Sequence, residues 1–281
     1  MGRAVYISRS PRGIESEMEG PMPFAEVNGQ RIRFDDSGGD GPVVILSHGF
    51  LMDREMFAPQ VAALAPEFRV ISWDERGFGE TEFDGEPFTY WDSARDCLGL
   101  LDHLGIERAV LGGMSQGGFL SLRAALLAPE RVRALVLIDT QAGTEDPERL
   151  PAYRQMQQTW LQVGPVDELA EAIAGLIIGD RALNATWIAK WRALPLEAMR
   201  APGDCLFDRD DISDRLGEIT CPAIVFHGTA DQSIEMERGE MLCRGLSGCG
   251  GVVRVEGGTH ASNLTHPDQV NGPLLDFLRS L

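Results

Sequence analysis

The sequence predicts an α/β fold: a mostly parallel sheet with an N-terminal hairpin, helices on both faces and a helical insertion. Three observations carry this reading. Short continuous apolar runs such as Val43-Val44-Ile45-Leu46 alternate with segments of helical period, the pattern of strands covered on both faces. Near the N-terminus an Asn28-Gly29 pair, which tolerates the positive φ of a tight turn, separates two short strand-like runs. Between Thr140 and about Asp211 the alternation stops and helix-like stretches follow one another. A chain of 281 residues can hold one large domain with such an insertion.

In chain order, residues 1–21 are polar, charged and aperiodic, an N-terminal tail; Met22 would serve equally as a start. Phe24–Val27 and Gln30–Phe34 form the hairpin, and the Gly- and Asp-rich segment from Asp35 to Pro42 is a loop. Val43–Leu46 is the first buried strand, and Asp53 can cap a helix running from about Arg54 to Leu64. Arg69–Trp73 is the next strand. Trp91, Ala94, Leu98, Leu101 and Leu104 recur every three or four residues, the stripe of an amphipathic helix that stops at Gly105. Ala109–Leu111 is a strand, Gln116 to Ala128 a helix and Ala134–Ile138 a strand. After the insertion come the strand Ala223–Phe226, a helix from about Glu235 to Leu246, the strand Val252–Val255 and a last helix from Pro267 to Leu281. The core therefore spans residues 22–140 and 212–281, and residues 141–211 read as a helical cap.

Composition narrows the function. Apolar residues make up 43% and charged residues 24%, ordinary for a globular chain. Lys plus Arg number 25 against 43 Asp plus Glu, a net charge of −18 that repels phosphate backbones and anionic headgroups. Nucleic acid and membrane surfaces are thus not expected partners, and a homodimer stays compatible with the sequence. Five cysteines, odd in number and without a C-x-x-C, suggest neither a disulfide framework nor a zinc site. With no apolar run of membrane-spanning length and no signal-peptide core at the N-terminus, the cytoplasm is the expected compartment.

The chemistry centres on Gly113-Met114-Ser115-Gln116-Gly117, a G-x-S-x-G between the strand Ala109–Leu111 and a helix. A serine presented on a sharp strand-to-helix turn needs small neighbours, and the helix N-terminus favours developing negative charge. Serine also needs a base, and the base needs an acid to orient it. Of five histidines, His48, His227 and His266 read as packed turn residues and His103 as a helix-surface residue. His260, in a loop just past the last strand, can reach over the C-terminal edge of the sheet and is the candidate base. Asp231, past the strand Ala223–Phe226, is the candidate acid; Asp139, which also ends a strand, is its rival. His48-Gly49-Phe50 supplies a loop whose Phe50 N–H, with that of Gln116, would hold an oxyanion. Phe50 and Met114, with Trp160, Trp187 and Trp191 of the insertion, suggest a pocket for an apolar group.

With these residues in place, the chain from about Phe24 to Leu281 resembles the α/β-hydrolase superfamily. The matching pieces are His48-Gly49-Phe50, Asp74-Glu75-Arg76-Gly77-Phe78-Gly79-Glu80-Thr81, Gly113 to Gly118, Gly228-Thr229-Ala230-Asp231 and Gly258-Thr259-His260. The order Ser115, Asp231, His260 is the order of that fold. It looks most like carboxylesterases and 3-oxoadipate enol-lactonases, the latter through Leu100 to Ala109 and His260-Ala261-Ser262-Asn263. The resemblance implies hydrolysis of a carboxylic ester or lactone through an acyl-enzyme, with no metal or organic cofactor. Gln116 departs from the Met of many relatives, and Ala261 from the Trp common in carbon–carbon hydrolases of ring-cleavage pathways. Such a carbon–carbon hydrolase, and a non-catalytic hydrolase-like receptor, are the alternatives. An enol-lactonase with an anionic substrate should place Lys190 or one of Arg154, Arg181, Arg192 and Arg200 in the pocket.

Overall fold

The computed structural model describes residues 23–281, so the expected tail over residues 1–21 lies outside the described residues. One eight-stranded sheet organises the chain, in the order β1-β2-β4-β3-β5-β6-β7-β8. The strands are β1 (Phe24–Val27), β2 (Gln30–Asp36), β3 (Val43–Ser47), β4 (Arg69–Trp73), β5 (Ala109–Met114), β6 (Val132–Ile138), β7 (Ala223–Gly228) and β8 (Cys249–Val255). β1 and β2 form the antiparallel hairpin, with Asn28 and Gly29 both at positive φ, and β2 pairs antiparallel with β4. Every later pairing is parallel.

The near-continuous apolar strands are explained by burial on both faces. Ile45, Ile71, Leu111, Leu135 and Leu137 point into one apolar cluster, while their neighbours Val44, Val70, Val110, Val136 and Ile138 point into the other. Helices α2 (Tyr90–His103) and α3 (Gln116–Leu127) feed the first cluster, as does α8 (Met236–Gly245). Helices α1 (Ala58–Leu64) and α10 (Pro267–Arg279) feed the second, and the short α9 (Ser262–Thr265) packs beside them. Asp53 accepts from Glu55 N at 2.9 Å and starts the single 3-10 turn Arg54–Phe57 that precedes α1. Gly105, at positive φ, follows the end of α2.

Between β6 and β7 run four helices: α4 (Leu150–Val163), α5 (Asp167–Ile177), α6 (Arg181–Arg192) and α7 (Arg200–Phe207). They are pinned to the sheet's C-terminal edge. Trp191 Nε1 donates to the Leu51 carbonyl at 2.6 Å, and Lys190 sits 2.6 Å from both Asp53 and Glu55. At the end of α5, the Ile177 and Ile178 carbonyls accept from Ala261 N and Thr259 Oγ1 at 2.8 and 2.5 Å.

The cysteines depart from the sequence reading. Cys243 and Cys249 form a disulfide because the chain turns straight from α8 into β8, bringing their Cα atoms to 5.4 Å across six positions. Cys97 and Cys205 are buried thiols, and Cys221 is half-buried. No helix among the described residues is long and apolar enough to cross a membrane.

Candidate active site

Ser115 stands at the step from β5 into α3 with φ 51° and ψ −114°, a conformation that costs a non-glycine residue roughly 1–3 kcal/mol. Hydrogen bonds hold it there. Ser115 N donates to the Ile138 carbonyl at 2.9 Å, and its own carbonyl accepts from Thr140 Oγ1 at 2.7 Å. The turn also needs bare backbone on either side. A Cβ on Gly113 would sit 2.0 Å from the Gly117 carbonyl carbon, and one on Gly117 2.0 Å from the Ser47 carbonyl oxygen.

His260 follows β8 in the loop that leads into α9, 5% exposed. Its Nε2 lies 2.9 Å from Ser115 Oγ and its Nδ1 2.8 Å from Asp231 Oδ2. The other Asp231 oxygen accepts from Ser233 N at 2.8 Å and Ile234 N at 3.0 Å, so the carboxylate cannot turn away. Burial by itself would push the His260 imidazole down. The Asp231 charge and hydrogen bond outweigh it, with help from Asp139 and Glu145, and the ring titrates above its ordinary value.

Asp139, the rival acid, is fully buried and spends its oxygens on Gly228 N at 2.7 Å and Ser262 N at 3.0 Å. Burial, then the neighbouring Asp231 charge, push its carboxyl well up. The ligand atoms of Asp139, His227 and Asp231 fall within 4.8 Å of one another. Those carboxylates are engaged by backbone N–H groups and His260, and His227 Nε2 lies 2.8 Å from the Ile234 carbonyl oxygen. The cluster thus reads as a hydrogen-bonded support for the loop of Asp231.

Beside Ser115, Gln116 is the first residue of α3, so its N–H has no intrahelical acceptor. Across from it, His48-Gly49-Phe50 follows β3. A Cβ on Gly49 would meet Met114 Sδ at 2.4 Å, so the Met114 side chain would have to shift. The serine opens on a cavity with largely apolar walls. Phe50 and Met114 form its floor with Ser115 and His260; Tyr153 and Met156 of α4, Ile173 and Ile177 of α5, and Leu206 and Phe207 of α7 form its roof.

A family model described as the alpha/beta hydrolase fold matches residues 42–267. The chain belongs to that family. Among solved structures, this α/β hydrolase is similar to a thermophilic esterase from Thermogutta terrifontis, at 28% identity and TM-score 0.82, over 92% of this chain and 98% of that one. It is equally similar to the enol-lactonase of Burkholderia xenovorans LB400, at 28% identity and TM-score 0.81, over 92% and 100% of the two chains. A relative from Rhizobium rhizogenes named for carbamate hydrolysis is 29% identical, over 86% of this chain and 94% of its own length. The fold is common to these proteins while the named reactions differ, so the reaction must be argued from the site.

In this hydrolase the structure brings together Ser115, Asp231, His260, Phe50, Gln116 and Met114, all singled out from the sequence. It does not bring the tryptophans there. Trp160, Trp187 and Trp191 are 0%, 5% and 1% exposed, and none lines the cavity. Their helices turn the large rings downward, where Trp191 binds the Leu51 carbonyl and packs against Trp160 with ring centroids 6.4 Å apart. The sequence reading missed Glu145, Tyr153, Ile173 and Ile177. The apolar stripe Leu169, Ala170, Ile173, Ala174, Ile177 marks α5 as having a buried face, but not which of its residues meets a cavity.

Proposed function

We propose that this α/β hydrolase cleaves a carboxylic ester or lactone of a small, largely apolar substrate through an acyl-enzyme. The observation that carries the proposal is the Ser115–His260–Asp231 chain of hydrogen bonds, at 2.9 and 2.8 Å, opening on an apolar cavity. Ser115 Oγ attacks the carbonyl carbon as His260 Nε2 takes its proton, and Asp231 steadies the imidazolium. The Phe50 and Gln116 amides hold the oxyanion; losing one such donor typically costs about 2.7–4 kcal/mol in the barrier. The proton passes from His260 to the leaving oxygen. Water then attacks the acyl-enzyme by the same route in reverse. Residues 141–211 act as the cap, their α4, α5 and α7 side chains shaping the acyl pocket.

Charge favours a neutral substrate over the anionic substrate of an enol-lactonase. Among the described residues no lysine or arginine lines the cavity, while Glu145 does. The cations expected there are occupied elsewhere: Lys190 with Asp53 and Glu55, Arg154 with Asp208, Arg192 with Asp167 and Arg200 with Glu197. Arg181 is exposed. The recess beside the cavity holds Arg149 and Arg238 but also Glu145, Asp146 and Glu235, with Arg149 2.7 Å from Glu235, so it lends the anionic reading no support.

The test is turnover of p-nitrophenyl esters of graded acyl length by wild type and Ser115→Ala, with neutral and anionic esters compared at two salt concentrations. Turnover that peaks at one acyl length and vanishes in Ser115→Ala supports the proposal. Preference for the anionic ester, weakened by salt, would move the assignment to an enol-lactonase-like enzyme. No turnover by wild type would leave the carbon–carbon hydrolase and the receptor.

A further inference from the structure

Outside the hydrogen-bonded chain at Ser115, Glu75 is a buried acid with no part in the mechanism above. It lies just past β4, in the Asp74–Thr81 stretch, and is 1% exposed. Its Oε2 accepts from Gln116 Nε2 at 3.0 Å, whereas its Oε1 is buried without a partner among the described residues. The other end of the Gln116 amide is held too, since Gln116 Oε1 accepts from the Tyr90 hydroxyl at 3.3 Å. The Glu75 backbone N–H donates to His48 Nε2 at 3.0 Å. With Nε2 accepting, the His48 proton sits on Nδ1 and is donated to the Gly49 carbonyl at 2.8 Å. Burial holds that ring neutral by pushing its titration down.

One residue therefore touches both segments that supply the amides assigned to the oxyanion. Phe50 is two residues beyond His48, and Gln116 is the residue after Ser115. We propose that Glu75 is a positioning residue that joins the two halves of the oxyanion hole, setting the Phe50 loop through its backbone N–H and, by holding the Gln116 side chain with its carboxyl group, the first residue of α3. This inference rests on the ester-hydrolase reading.

The electrostatics fit the role. The titratable groups facing Glu75 are Asp74 from its own loop, Asp96, Tyr90 and Cys97 from α2, Cys205 from α7, and His48 from beyond β3. Arg76, next in the chain, is turned to Asp96 at 2.5 and 2.6 Å. Burial first, then the Asp96 and Asp74 charges, push the Glu75 carboxyl well above the ordinary carboxylate range. In its protonated form the acid still accepts from Gln116 while placing no full negative charge near amides that must hold an oxyanion. Ionisation as the pH rises would place one there, and the rate should then fall.

The experiment compares Glu75→Met, Glu75→Gln, Gln116→Met and the Glu75→Met/Gln116→Met double variant by ester hydrolysis across pH, with thermal midpoints as the folding control. Glu75→Met should lower kcat by about tenfold or more, with KM moving less than about threefold, because a misaimed donor weakens transition-state binding alone. Glu75→Gln, which can still accept from Gln116, should recover most of that loss and lack the alkaline fall of the wild type. In the Gln116→Met background, Glu75→Met should cost little more, since the side chain it acts on is gone. Wild-type kcat in Glu75→Met, an undiminished Glu75→Met effect in the Gln116→Met background, or an unchanged alkaline fall in Glu75→Gln would each overturn the proposal. If Glu75→Met does not fold, the pH profile of Glu75→Gln decides. A wild type inert on every ester sinks the ester-hydrolase reading and this proposal with it; an active wild type with all variants alike sinks only this one.

Discussion

Replacing Asp231 by Asn tests the proposed chemistry most sharply, because the structure dictates how the amide must sit. One Asp231 oxygen accepts from both Ser233 N and Ile234 N, while the other faces His260 Nδ1 at 2.8 Å. In Asp231→Asn the amide oxygen stays on the two backbone donors, which turns the NH2 group toward His260. An NH2 group can only donate, so Nδ1 must accept and the ring proton moves to Nε2. That nitrogen then cannot take the proton of Ser115. The same change removes the charge that steadies the imidazolium in a site 5% exposed. Loss of the orienting acid with geometry intact typically lowers kcat about 10⁴-fold, or ~5.4 kcal/mol. The pH profile should move as well. In the wild type, His260 must be neutral to act, so kcat/KM falls as pH drops through its raised titration. Without the Asp231 charge, burial wins and the imidazole titrates lower, so the acid limb shifts to lower pH. Both readouts come from kcat/KM on one p-nitrophenyl ester across pH, with the thermal midpoint confirming folding. A fall in kcat of less than about tenfold, or an acid limb that stays in place, would refute the reasoning and assign the orienting role to Asp139.

Other predictions follow from single contacts. Glu145→Gln should raise kcat/KM for an anionic ester relative to a neutral one by less than about tenfold, because Arg209 lies 3.4 Å from the Glu145 carboxylate and offsets part of its charge; an unchanged ratio in low salt would remove Glu145 from the selectivity argument. Trp191→Phe should lower stability by about 1–3 kcal/mol, because the buried Leu51 carbonyl loses its donor; denaturant unfolding measures this, and a changed acyl-length optimum would show that Trp191 faces the pocket after all. Reducing the Cys243–Cys249 disulfide frees a short loop worth roughly 2 kcal/mol, a drop of about 3 °C in thermal midpoint for a chain of this size. Calorimetry with and without reductant checks it, and an unchanged midpoint would count against the bond contributing to stability.

The sheet could be read from the sequence because strands buried on both faces leave a signal that needs no third dimension. All six residues of β5 are buried, and its apolar run ends where Ser115 turns into α3. Ser115, Asp231 and His260 were legible for a related reason, since each lies just beyond the end of an apolar run. Which faces of the helices between β6 and β7 meet the cavity was not legible. These helices have apolar faces, but α4 and α5 lie between the core and the cavity, and no periodicity says which face meets which. Trp160 and Trp191 look like pocket aromatics in one dimension and are core residues in three. Glu75 was hidden because the groups it binds, His48 beyond β3 and Gln116 on α3, are distant in sequence. The disulfide was hidden because pairing depends on how sharply α8 turns into β8, which a spacing of six does not reveal.

These features meet in the way backbone, more than side chains, builds the proposed site. Gly117 packs so closely on the end of β3 that a methyl group there would strike the Ser47 carbonyl. That carbonyl belongs to the residue before His48, so the serine turn and the Phe50 loop share a wall. Glu75 reaches the same loop from β4 through His48, and reaches α3 through Gln116. Three adjacent strands, β4, β3 and β5, thus end at one point and fix one another there. Their parallel register makes this possible, since Ser47 pairs with both Trp73 and Gly113. The unfavourable φ at Ser115 is sustained because the sheet on both sides leaves the turn no room to relax.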